Sequence, residues 1–375
     1  MRIGIDARFY GSTSKGLGRY TERLIKHLEI LDEKNEYTVF LRNDNIGEYI
    51  PTNLRFTKAI ADFKWYTLRE QLEFPKLLNR YSFDLVHFPH FNVPLFYNGK
   101  YIVTIHDLIL THYPTQRATT LDPFVYFFKH QAYSVVIRHA ITHAQKVLAV
   151  SHYTQRDIAQ HFNITSDRLE VITEGVDLLR GHVSQSFRAE LLARHRITLP
   201  YLLYVGNVYP HKNLERYLEA FRKIVQRNPK LLLVIVGRDD YFFLRLKKLV
   251  TDKGLASSVR FPGFVSDEEL AALYESAELF VFPSLYEGFG LPPLEAMAAG
   301  TPVIASNATS IPEVLGDAAH YFDPEDIHDM IQITEGVLSD PILRNALRRK
   351  GLQRILRFSW EDMARRTLAA YTKSI

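Results

Sequence analysis

The sequence predicts an α/β protein built from two doubly wound parallel sheets. Short apolar runs rich in β-branched residues alternate along the chain with longer segments of helical periodicity. Some runs, such as Leu-Leu-Leu-Val-Ile-Val at 231–236, are apolar on both faces, as expected of a parallel strand covered by helices on each side. The chain has 375 residues, and at about 150 residues per domain this length predicts two domains.

The strands fall into two series separated by a polar stretch. We predict strands in the first half at 2–6, 37–41, 85–88, 101–106, 146–150 and 169–172. Those in the second half are expected at 202–205, 231–236, 259–261, 279–282 and 302–305. The domain boundary is expected between Asp177 and Pro200, where polar residues precede a short helix.

The composition excludes several classes of protein. The chain has no cysteine, which excludes disulfides, a thiolate nucleophile and a cysteine zinc site. A net charge of +4 over this length gives no reason to expect a nucleic-acid partner. Met1 is followed by no apolar signal segment, and no apolar run reaches the roughly 18 residues of a membrane span. We therefore expect a cytoplasmic protein.

Polar or glycine-rich residues follow most predicted strands. Ligands of open α/β sheets bind beyond the carboxyl ends of the strands, so these residues are the first candidates for a site. His106 ends one predicted strand, and Asn207 and Arg238 follow two others, while Gly16 and Gly18 lie beyond the first strand. If the two sheets turned these edges toward each other, one cleft would place a ligand against both domains.

Residues 287–300, Glu-Gly-Phe-Gly-Leu-Pro-Pro-Leu-Glu-Ala-Met-Ala-Ala-Gly, predict a tight loop that opens a helix. Glycines permit positive φ, and prolines suit the first turn of a helix. Such a helix start presents backbone N–H groups to phosphate, and Glu287 and Glu295 offer acceptors for a sugar or ribose diol. For either residue alone a structural role is favoured, in which Glu295 complements the helix dipole and Glu287 is a loop carboxylate. The ordered combination favours polyol recognition.

This segment resembles the E-x7-E signature of the retaining nucleotide-sugar glycosyltransferases of family four, which have the GT-B fold. Further similar segments, which extend the resemblance over nearly the whole chain, are 15–20, 104–108, 150–154 and 204–213. The resemblance implies two Rossmann-like domains facing each other across a cleft. It implies an acceptor-side domain at 1–180, a linker at 181–200, a nucleotide-sugar domain at 201–358 and a terminal helix at 359–375 that crosses back to the first domain.

The resemblance also implies roles for single residues. Lys212 would meet the donor diphosphate, His106 would contact the donor sugar near the reacting carbon, and Glu287 would position sugar hydroxyls. The implied donor-binding residues are Gly16, Gly18, Asn207, Arg238, Phe289, Gly290, Leu291 and Glu295. Many relatives carry arginine where this chain has Asn207, and Arg238 would either compensate or line the base pocket. The alternatives are a structural histidine at 106, an exposed lysine at 212 and an ordinary turn around the two glycines.

The implied reaction is transfer with retention of a hexose, with mannose favoured, from GDP-mannose or a UDP-hexose. The acceptor would be a saccharide or a lipid-linked saccharide in surface glycan synthesis. Neither a cofactor nor a metal ion is expected, because Lys212 and helix termini would neutralise the charge. The alternatives are a nucleotide-sugar epimerase of similar shape and a non-catalytic subunit that binds sugar nucleotides.

Aromatic and basic residues interleave over 124–146. A segment of this kind can rest on the inner face of a membrane and receive a lipid-linked acceptor, which would make the protein peripheral. The alternative is a helix that faces the core and carries its positive charge on the outer side. The sequence favours the two readings equally.

Overall fold

The computed structural model describes residues 1–11, 15–114, 122–177 and 183–374. These residues form two compact units. The first unit holds 1–114, 122–175 and 358–374 of the described residues, and the second holds 176–357. Each unit contains one parallel sheet with helices around it, which confirms the predicted fold class.

Both sheets are entirely parallel in the described part of the chain. In the first unit seven strands lie in the order β3-β2-β1-β4-β5-β6-β7, with bounds β1 Arg2–Asp6, β2 Glu36–Leu41, β3 Phe56–Ile60, β4 Leu85–Phe88, β5 Tyr101–Ile105, β6 Lys146–Ala149 and β7 Leu169–Val171. In the second unit six strands lie in the order β10-β9-β8-β11-β12-β13, with bounds β8 Tyr201–Val205, β9 Leu232–Val236, β10 Val259–Gly263, β11 Leu279–Phe282, β12 Val303–Ser306 and β13 Ala319–Phe322.

Helices connect the strands, as parallel pairing requires. Their bounds are α1 Lys15–Leu31, α2 Leu68–Leu78, α3 Ile109–His112, α4 Pro123–His143, α5 His152–Phe162, α6 Gln185–Arg194, α7 Leu214–Arg227, α8 Tyr241–Asp252, α9 Asp267–Ser276, α10 Leu291–Ala298, α11 Ile311–Leu315, α12 Ile327–Ser339, α13 Pro341–Arg354 and α14 Trp360–Lys373. Central strands such as β5 and β9 are buried at every residue, so both of their faces are covered.

The sequence analysis missed the edge strands β3 and β13. Within β3, Thr57 and Lys58 are exposed, and within β13, His320 and Tyr321 are only partly buried. An edge strand has one neighbour and tolerates polar side chains, so it lacks the continuous apolar run of a central strand.

The segment predicted as a linker contains a helix that belongs to the second unit. Helix α6 lies within it, and the Ser184 hydroxyl accepts a hydrogen bond from the Phe187 N–H at its start. Leu191 of this helix is fully buried, and Arg188 forms an ion pair with Glu275 of α9. Packing of this kind makes the segment part of the second unit rather than a free connection.

Helix α14 returns to the first unit. The Tyr371 hydroxyl lies 2.8 Å from Nδ1 of the buried His87 in the central strand β4. At its start, Trp360 packs against Gly175, the last residue before the chain leaves the first unit. The backbone approaches so closely here that position 175 has no room for a side chain.

We expect Gly175→Ala to destabilise the protein by roughly 1–3 kcal/mol, because overpacking a filled site forces its neighbours apart. A Cβ at this position would lie 2.3 Å from the Trp360 nitrogen and 2.6 Å from its ring. The matched control is Gly336→Ala in α12, where a Cβ would meet nothing within 4 Å and alanine should be neutral or slightly stabilising. Urea unfolding of the full chain measures both. Equal stability of the two variants would contradict the close packing.

Candidate active site

The loop after β8 brings Asn207 to the carboxyl end of the second sheet. Tyr204 lies near the end of β8, and its hydroxyl donates a hydrogen bond to the Asn207 carbonyl oxygen at 2.6 Å. The Asn207 side-chain oxygen Oδ1 is buried and has no hydrogen-bond partner. A buried acceptor without a partner is uncommon in native structures and is consistent with a ligand-binding position.

Lys212 and Glu287 form a close ion pair at this sheet edge. Lys212 ends a short 3-10 turn, and its Nζ lies 2.6 Å from Glu287 Oε1, with only 15% and 9% of the two side chains exposed. The Leu285 N–H donates to the His211 carbonyl oxygen at 2.7 Å, which ties the two loops together. Burial, reinforced by the charge of Lys212, lowers the pKa of His211 to about 3, so this histidine is neutral and adds no positive charge.

The loop after β12 holds the backbone of Glu287 in place. The Glu287 N–H donates to the Thr309 hydroxyl at 3.0 Å, and the Ser310 hydroxyl donates to the Glu287 carbonyl oxygen at 2.9 Å. Thr309 itself has a positive φ of 57°. The sequence analysis did not find these two residues, although they follow a predicted strand by a few positions.

The segment after Glu287 is a loop followed by a helix, as predicted. Gly290 has a φ of +101° and caps α10, whose first residue is Leu291. Pro292 and Pro293 carry no N–H group, so the backbone donors of this segment come from residues up to Leu291. Phe289 is 5% exposed, and its carbonyl oxygen accepts a hydrogen bond from the Ser310 hydroxyl at 3.4 Å.

Glu295 and Arg238 lie on separate elements of the second unit. Glu295 is in the second turn of α10, where its Oε2 accepts a hydrogen bond from the Tyr274 hydroxyl at 3.0 Å. Arg238 follows β9 and is exposed, with its guanidinium carbon 4.8 Å from the centre of the Phe264 ring. No pattern in the sequence pointed to Tyr274, which lies within helix α9.

His106 lies at the carboxyl end of β5 in the first unit, and both of its ring nitrogens are engaged. Nδ1 is 2.8 Å from Glu174 Oε1, and Nε2 is 2.9 Å from the Pro89 carbonyl oxygen. Burial opposes protonation of this ring, but the hydrogen bond and charge of Glu174 outweigh it and raise the pKa of His106 above its ordinary value. Because a carboxylate and a carbonyl both accept, the ring donates from both nitrogens as an imidazolium.

Glu174, which the sequence analysis missed, follows the last strand of the first sheet. The same search beyond strand ends that selected His106 would have found it. The Tyr20 ring packs edge-on against His106 with 4.8 Å between ring centres. These contacts match the alternative of a structural histidine, and the predicted contact with a donor sugar stays a prediction.

Gly16 and Gly18 are not in a loop. Helix α1 begins at Lys15, so both glycines belong to its first turn, whereas the sequence analysis placed them in a loop after the first strand. Residues 12–14 of that segment lie outside the described residues. The early helix start is consistent with local periodicity outweighing the helix penalty of glycine.

The two units therefore divide the predicted site residues between them. His106, Gly16 and Gly18 belong to the first unit. The second unit holds Asn207, Lys212, Arg238, Glu287, Phe289, Gly290, Leu291 and Glu295. Among these, the structure brings Lys212 and Glu287 into direct contact.

Both units match models of glycosyltransferase families. Residues 14–180 match the model described as Glycosyltransferase Family 4, and residues 188–354 match that described as Glycosyl transferases group 1. The chain is 30% identical over 384 aligned residues to the O-antigen chain mannosyltransferase B of Escherichia coli, and the alignment covers 95% of each chain. It is 31% identical to the O-antigen chain mannosyltransferase RfbU of Salmonella typhimurium, over 74% of this chain and 71% of the relative.

Solved structures show the same fold. Sucrose-phosphate synthase from Thermosynechococcus elongatus superposes with a TM-score of 0.78 at 21% identity, covering 100% of this chain and 98% of the other. Anabaena HepE in complex with UDP and glucose gives a TM-score of 0.74 at 18% identity, covering 99% of each chain. Together with the sequence relatives, these similarities confirm the predicted resemblance: the chain belongs to glycosyltransferase family four and has the GT-B fold.

Proposed function

We propose that this glycosyltransferase moves a hexose, mannose in preference, from a nucleoside-diphosphate sugar to a saccharide or lipid-linked saccharide in surface glycan synthesis. The observation that carries the proposal is the contact between Lys212 and Glu287 at the carboxyl end of the second sheet. The relatives named O-antigen chain mannosyltransferases support mannose and GDP-mannose. UDP-hexoses are the alternative donors, and a structural neighbour binds UDP and glucose.

In this proposal Lys212 binds the diphosphate of the donor. Negative charge collects on the diphosphate as the glycosidic bond breaks, and a charge fixed in advance stabilises that state without reorganisation. Two unit charges about 4 Å apart at an effective dielectric near 20 interact by roughly 4 kcal/mol. The ammonium of Lys212, 15% exposed, is suited to this task without a metal ion.

Glu287 would exchange partners when the donor binds. It accepts from Lys212 in this structure, and the arriving diphosphate would take over that ammonium and leave the carboxylate to the sugar hydroxyls. Transfer with retention follows if the acceptor hydroxyl attacks the anomeric carbon on the face that the diphosphate leaves. The new bond joins that carbon to the acceptor oxygen, the bond to the phosphate oxygen breaks, and the acceptor proton passes to the departing diphosphate.

The remaining residues would bind the donor around this centre. Phe289, Gly290 and Leu291 would offer backbone N–H groups, and Glu295 would accept from the ribose diol. His106 would contact the sugar, with Glu174 and the Pro89 carbonyl fixing the plane of its ring. The other proposed donor contacts are Gly16, Gly18, Asn207 and Arg238.

We further propose that the start of α4 rests on a membrane surface. Phe124, Phe127 and Phe128 are between 56% and 71% exposed there, and Lys129 beside them is also exposed. The second half of the same helix is buried at Ile137, Ala140 and Ile141, which fits the core-facing alternative for that half only. Within the described ranges no helix has the length and apolar character needed to cross a bilayer.

Replacement of Lys212 tests the proposed reaction. We expect Lys212→Ala to lower kcat for transfer from GDP-mannose by roughly 100-fold or more, as for other preorganised groups that stabilise developing charge. Mass spectrometry of a glycan acceptor measures the added hexose, and nucleotide release measures donor turnover. The matched control is Lys253→Ala, since Lys253, directly after α8, forms an ion pair with Glu219 of α7 in the same unit and its side chain is 19% exposed.

Wild-type turnover in both Lys212→Ala and Glu287→Ala would contradict the assigned roles. A donor that changes into its epimer while the acceptor gains no mass would indicate an epimerase. Nucleotide binding without turnover of any donor would indicate a binding subunit.

The ion pair of His106 should make folding stability depend on pH. Because its pKa is raised in the folded state, the pair stabilises the protein fully below the unfolded pKa of about 6.5 and loses that contribution as pH rises through the folded value. His106→Gln should therefore cost more unfolding free energy at acidic than at alkaline pH. In the Glu174→Gln background that difference should disappear. A cost independent of pH in the wild-type background would contradict a charged ring. His87 and His90, whose pKa burial and the charge of His106 lower to about 3, reduce stability at acidic pH in every variant, so the variants are compared with each other at each pH.

The membrane proposal predicts weaker vesicle binding when the exposed rings are removed. We expect the double variant Phe127→Ala and Phe128→Ala to sediment less with vesicles that contain anionic lipid, because buried apolar area and charge together set the affinity. The control is Phe264→Ala, which removes a ring of 69% exposure in the second unit. Equal sedimentation of the wild type and the double variant, or no sedimentation of the wild type, would refute the contact.

A further inference from the structure

Helix α13 carries three arginines whose guanidinium groups donate hydrogen bonds to the carboxyl ends of three other helices in the second unit. Arg344 donates to carbonyl oxygens at the end of α12, Arg348 to a carbonyl oxygen just beyond α10, and Arg354 to carbonyl oxygens at the end of α11. The last carbonyl groups of a helix have no partner within it, and positive charge is favourable there. Helix α13 therefore fixes the ends of helices that carry or adjoin the candidate site.

Arg354 holds the end of the short helix α11 with both arms of its guanidinium. Its Nε donates to the Val314 carbonyl oxygen at 2.8 Å, and its Nη2 donates to the Glu313 carbonyl oxygen at 2.5 Å. The N–H of Gly316 donates to the carbonyl oxygen of Pro312, one residue earlier. The planar guanidinium is the side-chain group that can hold two neighbouring acceptors at once.

The start of α11 is joined to the backbone of Glu287. Ser310 comes directly before this helix and is fully buried, and its hydroxyl donates to the Glu287 carbonyl oxygen at 2.9 Å. The Val314 N–H donates to the Ser310 carbonyl oxygen at 2.9 Å. A continuous series of hydrogen bonds thus leads from Arg354 through one helical turn to Glu287.

Helix α11 depends on contacts outside itself for its position. It has only five residues, whereas isolated helices shorter than about 12 residues are marginal in water. The Glu287 carboxylate that it helps to place lies 2.6 Å from the Lys212 ammonium. A displacement of about 1 Å in a positioned group can lower a reaction rate by roughly 100-fold, so a tie at the far end of α11 matters for the pair.

We propose that Arg354 is a positioning residue of the candidate active site. It holds the end of α11, and α11 holds Glu287 opposite Lys212 through the Ser310 hydroxyl. The consequence for sugar transfer rests on the proposed function, which assigns Glu287 to the donor sugar. The contact between Glu287 and Lys212 can be measured without any transfer.

The first experiment measures how fast Lys212 of the full chain is acetylated by limiting acetic anhydride, with mass spectrometry of the modified peptides. An ammonium held by a carboxylate is protected from acylation. We expect Arg354→Ala to raise the rate at Lys212 about two- to tenfold, which corresponds to the loss of one net hydrogen bond. Ser310→Ala removes only a hydroxyl from the other end of the link, so it tests the same path if Arg354→Ala folds poorly.

The matched control is Arg344→Ala in the same helix. Arg344 makes the same kind of contact with the end of α12, and it also pairs with Glu278 at 2.9 Å. Helix α12 has 13 residues and carries none of the proposed site residues. Arg344→Ala should lower stability in urea but leave Lys212 acetylated at the wild-type rate. Lys253, paired with Glu219, is the internal reference in every variant.

The second experiment measures kcat for transfer from GDP-mannose. We expect a loss of about tenfold in Arg354→Ala and in Ser310→Ala, because the carboxylate is misplaced. The double variant should be no slower than the slower single variant, since both changes break one path. In the Arg344→Ala background the loss caused by Arg354→Ala should keep its full size.

Other results would overturn the proposal. Wild-type acetylation of Lys212 in folded Arg354→Ala or in Ser310→Ala would exclude the path, and so would an equal rise in Arg344→Ala or losses of kcat that multiply in the double variant. If acetylation responds as expected in a protein that transfers no sugar from any donor, the proposed function is refuted and the positioning of Glu287 stands. Unchanged acetylation in a protein that transfers mannose would refute the role of Arg354 alone.

Discussion

The contact between Lys212 and Glu287 is the interaction on which the organisation of the second unit's loops depends. The two residues are 75 positions apart in sequence, and three loops must converge to bring them within 2.6 Å. Removing one partner from a pair this well buried would leave an uncompensated charge. The hydrogen bonds that join the Glu287 backbone to the hydroxyls of Thr309 and Ser310 are therefore part of the same arrangement, since they hold the backbone that carries the carboxylate.

The first unit also holds buried charged side chains in place, but with different residues. Arg8 forms a buried network in which one guanidinium pairs with the two carboxylates of Asp6 and Glu70. The ring of His106 lies between Glu174 and a backbone carbonyl. In both units charged groups are fixed where strands end. The difference is that the second unit pairs one ammonium with one carboxylate, while the first pairs the guanidinium of Arg8 with two.

The interior of each sheet could be predicted from the sequence, since central strands such as β9 are apolar on both faces. The edge strands β3 and β13 could not, because exposed or partly buried residues interrupt their pattern. Of the site, the spacing of Glu287 and Glu295 with the intervening glycines and prolines was sufficient to indicate a sugar or nucleotide site. The contact of Tyr274 with Glu295 could not be predicted, because it joins residues of two different helices and no local sequence pattern indicates it.

The sequence also could not show what His106 touches. Glu174 lies 68 positions further along the chain, and the pairing arises because β5 and β7 belong to one sheet. The start of α1 at Lys15 was not predicted for a different reason. Glycine has a low helix propensity, so two glycines close together indicate a loop.

The return of α14 to the first unit has a consequence for synthesis on the ribosome. The buried His87 is completed by Tyr371, 284 positions later, and residues 176–357 of the other unit lie between them. The amino-terminal part of this unit therefore leaves the ribosome without α14, and its interior can be completed only after residues 176–357 have been synthesised. A frameshift upstream of codon 371 would remove the hydroxyl that pairs with His87, although the two positions are far apart in the message.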